Sequence, residues 1–295
     1  MILLSARRMM VNVAIYGIQF VTILKGDKMA YIKEYWRDKE ERAEQAKIHT
    51  EEMEKDWGEL IKKCVEDTIV YSPDFECKLE TVDKKTEIII DDIDSVSAII
   101  KYPTGRRNAV LNFSSYKEPG GMFINGSKAQ EECLCHESFL YNVLSQKQDF
   151  YDWNNQYKNK ALYLNRALYT PFVQFIREGK SYSDYTIYKL CDVITCAAPN
   201  KSAAQRYQNV SNEENTKALK SRIKFILDIA KENKVENLIL GAYGCGVFGQ
   251  DPKEVASIFK EYLGTTHKCF TGVIFAIPSG RDGNLEVFKD VFEKG

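Results

Sequence analysis

Glu131 and Glu132 follow shortly after the pair Gly120-Gly121, within the stretch EPGGMFINGSKAQEECLC. The two features ask different things of a ligand. Glycines let backbone approach closely and present N–H groups to an anion, whereas carboxylates repel phosphate and are suited to proton transfer. They belong together if the substrate is anionic at one end and needs acid/base help at the other. Adjacent helical residues point roughly 100° apart. Glu131 and Glu132 therefore cannot oppose each other across a bond as the paired carboxylates of ordinary glycosidases do. They must divide the labour: one hydrogen-bonds hydroxyls, and the other, partly desolvated among Phe123, Leu134 and Phe139, gains a raised pKa and donates a proton. The plainer alternative is that both are first-turn glutamates favoured by the helix dipole.

A second glycine-bearing stretch, Gly241-Ala242-Tyr243-Gly244-Cys245-Gly246-Val247-Phe248-Gly249, also comes directly after an apolar strand. Asp251-Pro252-Lys253-Glu254 behind it has the N-cap, first-position proline and third-position glutamate of a helix start. The first stretch leaves the strand AVLNFSS, and a helix is expected to begin near Ser127 or Lys128. In α/β sheets ligands sit outside the carboxyl ends of the strands, so two strand–glycine–helix junctions can grip a diphosphate from both sides. Neither matches the P-loop or G-x-G-x-x-G pattern, and glycine turns often only reverse the chain.

These junctions require an α/β scaffold, and the pattern supplies one. The runs TIVYS, TEIIIDD, SAIIKY, NAVLNFSS, LYTPFVQFI, YKLCDVITCAAP, NLILGAYG and TGVIFAIP read as strands. Helices are expected at about 128–147, 212–232, 252–264 and 284–293, so that helices cover both faces of the sheet. Residues 181–185 read as a loop. Ahead of all this, residues 31–67 carry Trp36, Ala43, Ala46, Met53, Trp57, Leu60 and Ile61 at spacings near three and four among charged residues. That spacing predicts one or two amphipathic helices packing on the core, with the charges on solvated faces.

The start of the chain reads differently. Arg7, Arg8 and the apolar run 9–24 resemble a signal peptide or anchor. No small-x-small site follows Leu24, and the run contains Asn12 and Gln19 and is shorter than the ~20 residues of a bilayer span. Lys25-Gly26-Asp27-Lys28 can be encoded as AAA-GGA-GAT-AAA, which would be a bacterial ribosome-binding sequence just before Met29. We expect translation to begin there and residues 1–28 to be upstream sequence; a native protein whose first residue is Met1 would overturn this. The remaining division is a helical region at 29–67 and a catalytic domain at 68–295.

Composition narrows the classes. The 295 residues are 44% hydrophobic, enough for a substantial core, and carry a formal net charge of −1. That charge lacks the basic excess that holds nucleic-acid phosphates. A sequence-specific nucleic-acid partner is not expected, nor is a membrane. The eight cysteines form no C-x-x-C pair, so neither a zinc site nor a disulfide framework is signalled. Free thiols in a reducing cytoplasm are the expectation. Cys133, Cys135 and His136 share one expected helix and cannot all face one ion, and no metal is expected. Cys245 reads as a small structural residue; His49 and His267 have no partner motif and read as surface residues.

Several blocks occur in an order that is more specific than any one motif. NFSSYKEPGGMFINGSKAQEECLCHESFLY, CDVITCAAPN, GAYGCGVFGQDPKEVA and VIFAIPSGRDGNLEVFKDVF together resemble the microbial-type poly(ADP-ribose) glycohydrolases, over roughly residues 40–293. The resemblance implies a macrodomain-like α/β fold with a mixed sheet flanked by helices on both faces. It implies hydrolysis of the ribose–ribose O-glycosidic bond of poly(ADP-ribose), releasing ADP-ribose, without a cofactor. On the same footing, Glu132 would be the catalytic acid and then base, and Glu131 would orient ribose hydroxyls. Gly120 and Gly121 would form the first diphosphate loop and Gly244, Cys245, Gly246 and Val247 the second. Phe248 would pack near the distal ribose, while Asn112 and Gln130 complete the substrate contacts. One of the 17 tyrosines or 15 phenylalanines would stack on adenine. Partners would be poly(ADP-ribose), ADP-ribose or ADP-ribosylated proteins. Met122 departs from the family, which has a third glycine there, so either that residue has an ordinary φ or the substrate sits differently. A reader that binds ADP-ribose without cleaving it, and a hydrolase of mono-ADP-ribosylated protein or a small derivative, remain alternatives.

Overall fold

A computed structural model describes residues 38–80, 83–102, 107–177, 186–280 and 282–293. The expected upstream segment 1–28 and the loop expected at 181–185 lie outside these residues.

The chain begins with α1 (Lys39–Asp67), a single helix where one or two were expected. Asp38 caps it by accepting the N–H groups of Glu40 (2.7 Å) and Glu41 (3.1 Å). Ala46, Met53, Ile61 and Cys64 form its buried stripe. The strands are β1 (Ile69–Tyr71), β2 (Glu87–Asp91), β3 (Asn108–Phe113), β4 (Ala167–Arg177), β5 (Ile187–Cys196), β6 (Asn237–Leu240) and β7 (Gly272–Ala276). They form one sheet in the order β1-β4-β5-β3-β6-β7-β2. The five from β5 to β2 run parallel, and β4 and β1 add antiparallel at one edge. The sheet is mixed, as the macrodomain-like reading requires.

Successive strand residues face opposite sides, and each side builds its own core. Leu111, Ile194, Leu238, Leu240, Val273 and Phe275 pack against α7 (Asn212–Glu232), α8 (Pro252–Gly264) and α9 (Asn284–Glu293). Val110, Val193, Ile239 and Ile274 pack on the other face against α1, α2 (Ser95–Lys101), α3 (Gln130–His136), α4 (Leu140–Leu144) and α5 (Gln148–Gln156). A further helix, α6 (Lys201–Gln208), starts where Asn200 caps the N–H of Ala203 at 3.0 Å; the sequence reading had no helix here.

Three other expectations are corrected. SAIIKY is not a strand but most of α2: Asp94 accepts the N–H of Ser97 (2.8 Å) and its hydroxyl (2.5 Å), and this cap outweighs the β-branched run behind it. The single helix expected at 128–147 is two, α3 and α4, parted where Ser138 leaves the helix to bridge Phe175 at the end of β4. His267 is also not at the surface. It is 2% exposed, with Nε2 3.0 Å from an Asp228 carboxylate oxygen and Nδ1 2.9 Å from the Thr266 hydroxyl, and so pins the turn after α8 to α7. His49 is half-buried and its Nε2 donates to the carbonyl of Ser138 at 2.8 Å.

Candidate active site

Parallel strands β3 and β6 are neighbours, and each opens at its carboxyl end into one of the glycine loops. Both loops therefore rise at the same edge of the sheet, where an α/β fold holds its ligands.

In the first loop Gly120 and Gly121 have φ of +64° and +61°, the left-handed region that residues with a Cβ avoid. A Cβ on Gly121 would lie 2.7 Å from Oε1 of Glu132 and 3.0 Å from Oε2 of Glu131. Bare backbone thus lies directly over both carboxylates, and both point into one small space. Met122, where the resemblance implies a third glycine, has φ −108°, which any residue adopts, and the residue is 46% exposed. Its contribution is backbone: the Met122 N–H donates to Glu132 Oε1 at 3.0 Å. Met122 needs no left-handed φ at this position.

The glutamates occupy the second and third positions of α3. Glu132 reaches back so that Oε2 accepts the N–H of Ala129 at 2.9 Å, one half of a capping box whose other half Ala129, lacking a side-chain oxygen, cannot supply. Glu131 accepts from Asn112 Nδ2 (3.1 Å) through Oε1 and from the Ser115 N–H (2.7 Å) through Oε2. Burial, reinforced by the neighbouring Glu132, pushes the Glu131 carboxyl up to about 8, against the two hydrogen bonds that favour its ionised form. The raised proton affinity therefore falls on the residue to which the resemblance gives the ribose-orienting role. Phe123, Leu134 and Phe139, expected to desolvate the pair, are all fully buried in the core behind it.

Asn112 is fully buried at the end of β3, also donating to Thr195 (3.3 Å), while its Oδ1 has no partner. Gln130 turns to the scaffold: its Oε1 accepts the Phe113 N–H (2.8 Å), and its amide nitrogen donates to Leu111 O (2.9 Å) and Ser95 Oγ (3.0 Å). It clamps the last turn of β3 to α3 and α2. The roles of Ser115 and Met122 were not readable from the sequence because each acts through its N–H, which leaves no mark in residue type.

In the second loop Gly244 has φ +75°, and a Cβ there would meet Ala198 at 2.8 Å and Gln250 at 2.9 Å. The Cys245 N–H closes a turn on Ala242 O (3.1 Å), and Gln250 N closes another on Gly244 O (3.0 Å). Among the described residues the N–H groups of Gly246, Val247 and Phe248 have no hydrogen-bond acceptor. A Cβ on Gly246 would meet nothing within 4 Å, and Val247 is 91% exposed, so the tip of the loop is open backbone. Burial, with Asp251 and Asp282 nearby, pushes the Cys245 thiol up to about 12, which leaves no reactive thiolate. Asp251 caps α8 through Lys253 N (2.8 Å) and Glu254 N (2.9 Å), as the motif implies. Among the described residues no group of three or more His, Cys, Asp or Glu is placed to hold a metal ion.

Residues 38–178, from the cap of α1 to just past β4, match the family model for the microbial-type PARG catalytic domain. That segment of the chain is similar to the microbial-type PARG catalytic domain. The fold of the chain is similar to that of the poly(ADP-ribose) glycohydrolase (PARG) of Thermomonospora curvata, with a TM-score of 0.73 and 26% identity, covering 86% of this chain and 100% of that one. The same organism's PARG bound to the inhibitor ADP-HPD gives 0.72 and 28%, covering 84% and 98%. The Deinococcus radiodurans PARG in complex with ADP-ribose gives 0.72 and 28%, covering 79% and 97%. The structural likeness thus extends past the family-matched segment into the part of the chain that carries the second glycine loop. A search among curated proteins found no match. Among the described residues no helix is long and apolar enough to cross a membrane.

Proposed function

We propose that the protein is a poly(ADP-ribose) glycohydrolase that cleaves the ribose–ribose O-glycosidic bond and releases ADP-ribose. The observation that carries this is the convergence of the Glu131 and Glu132 carboxylates beneath the bare backbone of Gly121. The Thermomonospora and Deinococcus relatives, which are PARGs and include complexes with ADP-ribose and ADP-HPD, support it.

In this reading the open N–H groups of Gly246, Val247 and Phe248, together with the Gly120-Gly121 turn, hold the diphosphate, and the distal ribose lies over the glutamates. Protonated Glu132 gives its proton to the leaving ribose oxygen as the C–O bond breaks and oxocarbenium character develops at the anomeric carbon. The resulting carboxylate then takes a proton from the water that attacks that carbon, which restores Glu132. Glu131, held by Asn112 and Ser115, orients the ribose hydroxyls. Gln130 holds the end of β3 and so the height of the pair. The compartment is proposed to be the cytoplasm, in keeping with eight unpaired cysteines.

The test is release of ADP-ribose from labelled poly(ADP-ribose), with a Glu132→Gln variant and an ADP-ribose titration of both proteins. We expect the parent to release ADP-ribose and the variant to bind it with little change in Kd but turn over about a thousand-fold more slowly. A parent that binds ADP-ribose and releases none overturns the hydrolase reading in favour of a reader.

A further inference from the structure

Between α5 and β4 the backbone takes an unusual course. Asn159, Lys160, Ala161 and Tyr163 all have positive φ, at 41°, 52°, 65° and 60°. Non-glycine residues enter this region at a cost in free energy, and they hold it only where the surroundings over-determine it. Here the surroundings are the loops at the carboxyl ends of three parallel strands. The Tyr163 ring lies flat on Tyr116 of the first glycine loop, with centroids 4.1 Å apart and planes 11° from parallel. It also meets Phe248 of the second loop edge-on at 6.2 Å. The same turn reaches the loop after β5, because the N–H of Asn200 donates to Ala161 O at 3.0 Å. Tyr116 is fastened from several sides: its hydroxyl donates to Tyr157 O (3.0 Å), its carbonyl accepts from Asn154 Nδ2 (2.9 Å), and Leu164 N donates to the hydroxyl (3.4 Å).

Tyr116 and Tyr163 are buried, at 2% and 7% exposure, so this stack is closed to a base. It is a spacer. One ring touches an aromatic from each of the two loops that would grip the ligand, and a strained turn fixes its height.

We propose that Tyr163 is a positioning residue for the hydrolysis, acting through Tyr116 and Phe248 to set the distance between the two glycine loops. The proposal rests on the reading above that those loops hold ADP-ribose. It predicts that loss of the ring loosens both loops together, although they are far apart in sequence, and lowers turnover more than it lowers the melting temperature.

The experiment compares the parent with Tyr163→Leu and Tyr163→Phe. Hydrogen exchange is followed across residues 114–122 and 241–250, alongside kcat, KM and Tm. In Tyr163→Leu both segments should exchange faster, and kcat/KM should fall about ten- to a hundred-fold from displaced reacting groups. Tyr163→Phe, which keeps the ring contacts, should recover most of both. Faster exchange confined to residues 157–166 with parent-like kcat/KM would overturn the proposal, as would equal losses in the two variants. Should Tyr163→Leu not fold, Tyr163→Met fills the same space without a planar ring and is judged by the same outcomes. A parent that releases no ADP-ribose defeats the glycohydrolase reading instead, and the exchange data, which need no ligand, still decide whether Tyr163 couples the loops.

Discussion

Glu131 carries a proton affinity that its neighbours impose. A free glutamate ionises near 4.5, whereas burial lifts this one to about 8. Between those values the folded protein holds a proton that the unfolded chain has lost, so stability is fully present below about pH 4.5 and declines as pH rises toward 8. Glu131→Gln removes the titration, and the partnerless Oδ1 of Asn112 is placed to accept from the new amide if the Asn112 side chain flips. We therefore expect the variant to gain on the parent by a few kcal/mol as pH is raised from 5 to 8, read by calorimetry across that range. Parallel stability curves would show that Glu131 is not the titrating group. The pairing of glycines and glutamates was legible in the sequence from residue types alone. The raised proton affinity of Glu131 was not, because that depends on the Ser115 N–H, on Asn112 arriving from another element and on the depth of the core behind Leu134. Met122 was legible as a departure, but its geometry was not. Its φ and the bond from its N–H to Glu132 are properties of the folded loop.

At the scale of elements, α1 supports the first glycine loop from below. The Nε–H of Arg42 donates to the carbonyl of Gly126, and Gly126, with φ +76°, lies so close that a Cβ would fall 2.0 Å from the Lys39 carbonyl oxygen. Gly126→Ala must therefore push α1 off the 3-10 turn Phe123–Asn125 as well as strain its own backbone. We expect a loss of about 2–5 kcal/mol, measured by denaturant unfolding, with activity also falling because Met122, whose N–H holds Glu132, stands at the start of that turn. A change under about 1 kcal/mol would mean that the helix end yields freely. The long elements were readable from periodicity: the limits expected for α7, α8 and α9 agree with the structure because each carries a buried apolar stripe, and Ser211 and Asp251 cap the first two. Short ones were not. The apolar run in α2 has the composition of a strand, and only Asp94 and Ser97 in front of it reveal a helix. The break between α3 and α4 depends on Phe175, which is distant in the chain.

At the scale of the whole molecule, a protein of net charge −1 is assigned a polyanionic substrate. Backbone N–H groups at loop tips reconcile the two, since they bind phosphate oxygens without bringing in cations that must first be freed of counterions. Affinity for ADP-ribose should accordingly weaken little with salt, with a slope of log Kd against log salt shallower than about one. A steeper slope in a salt-dependent titration would place lysine or arginine side chains on the phosphates. The docking of α1 has one more consequence, and it concerns the order of synthesis. This helix leaves the ribosome ahead of the sheet it packs on, and its Cys64 thiol donates to Pro171 O (3.2 Å) in β4, a strand made more than a hundred residues later. At bacterial elongation rates that is a delay on the order of ten seconds. For that time the Cys64 end of α1 lacks the strand it packs on, and a nascent chain stalled before residue 171 should be a substrate for holdase chaperones.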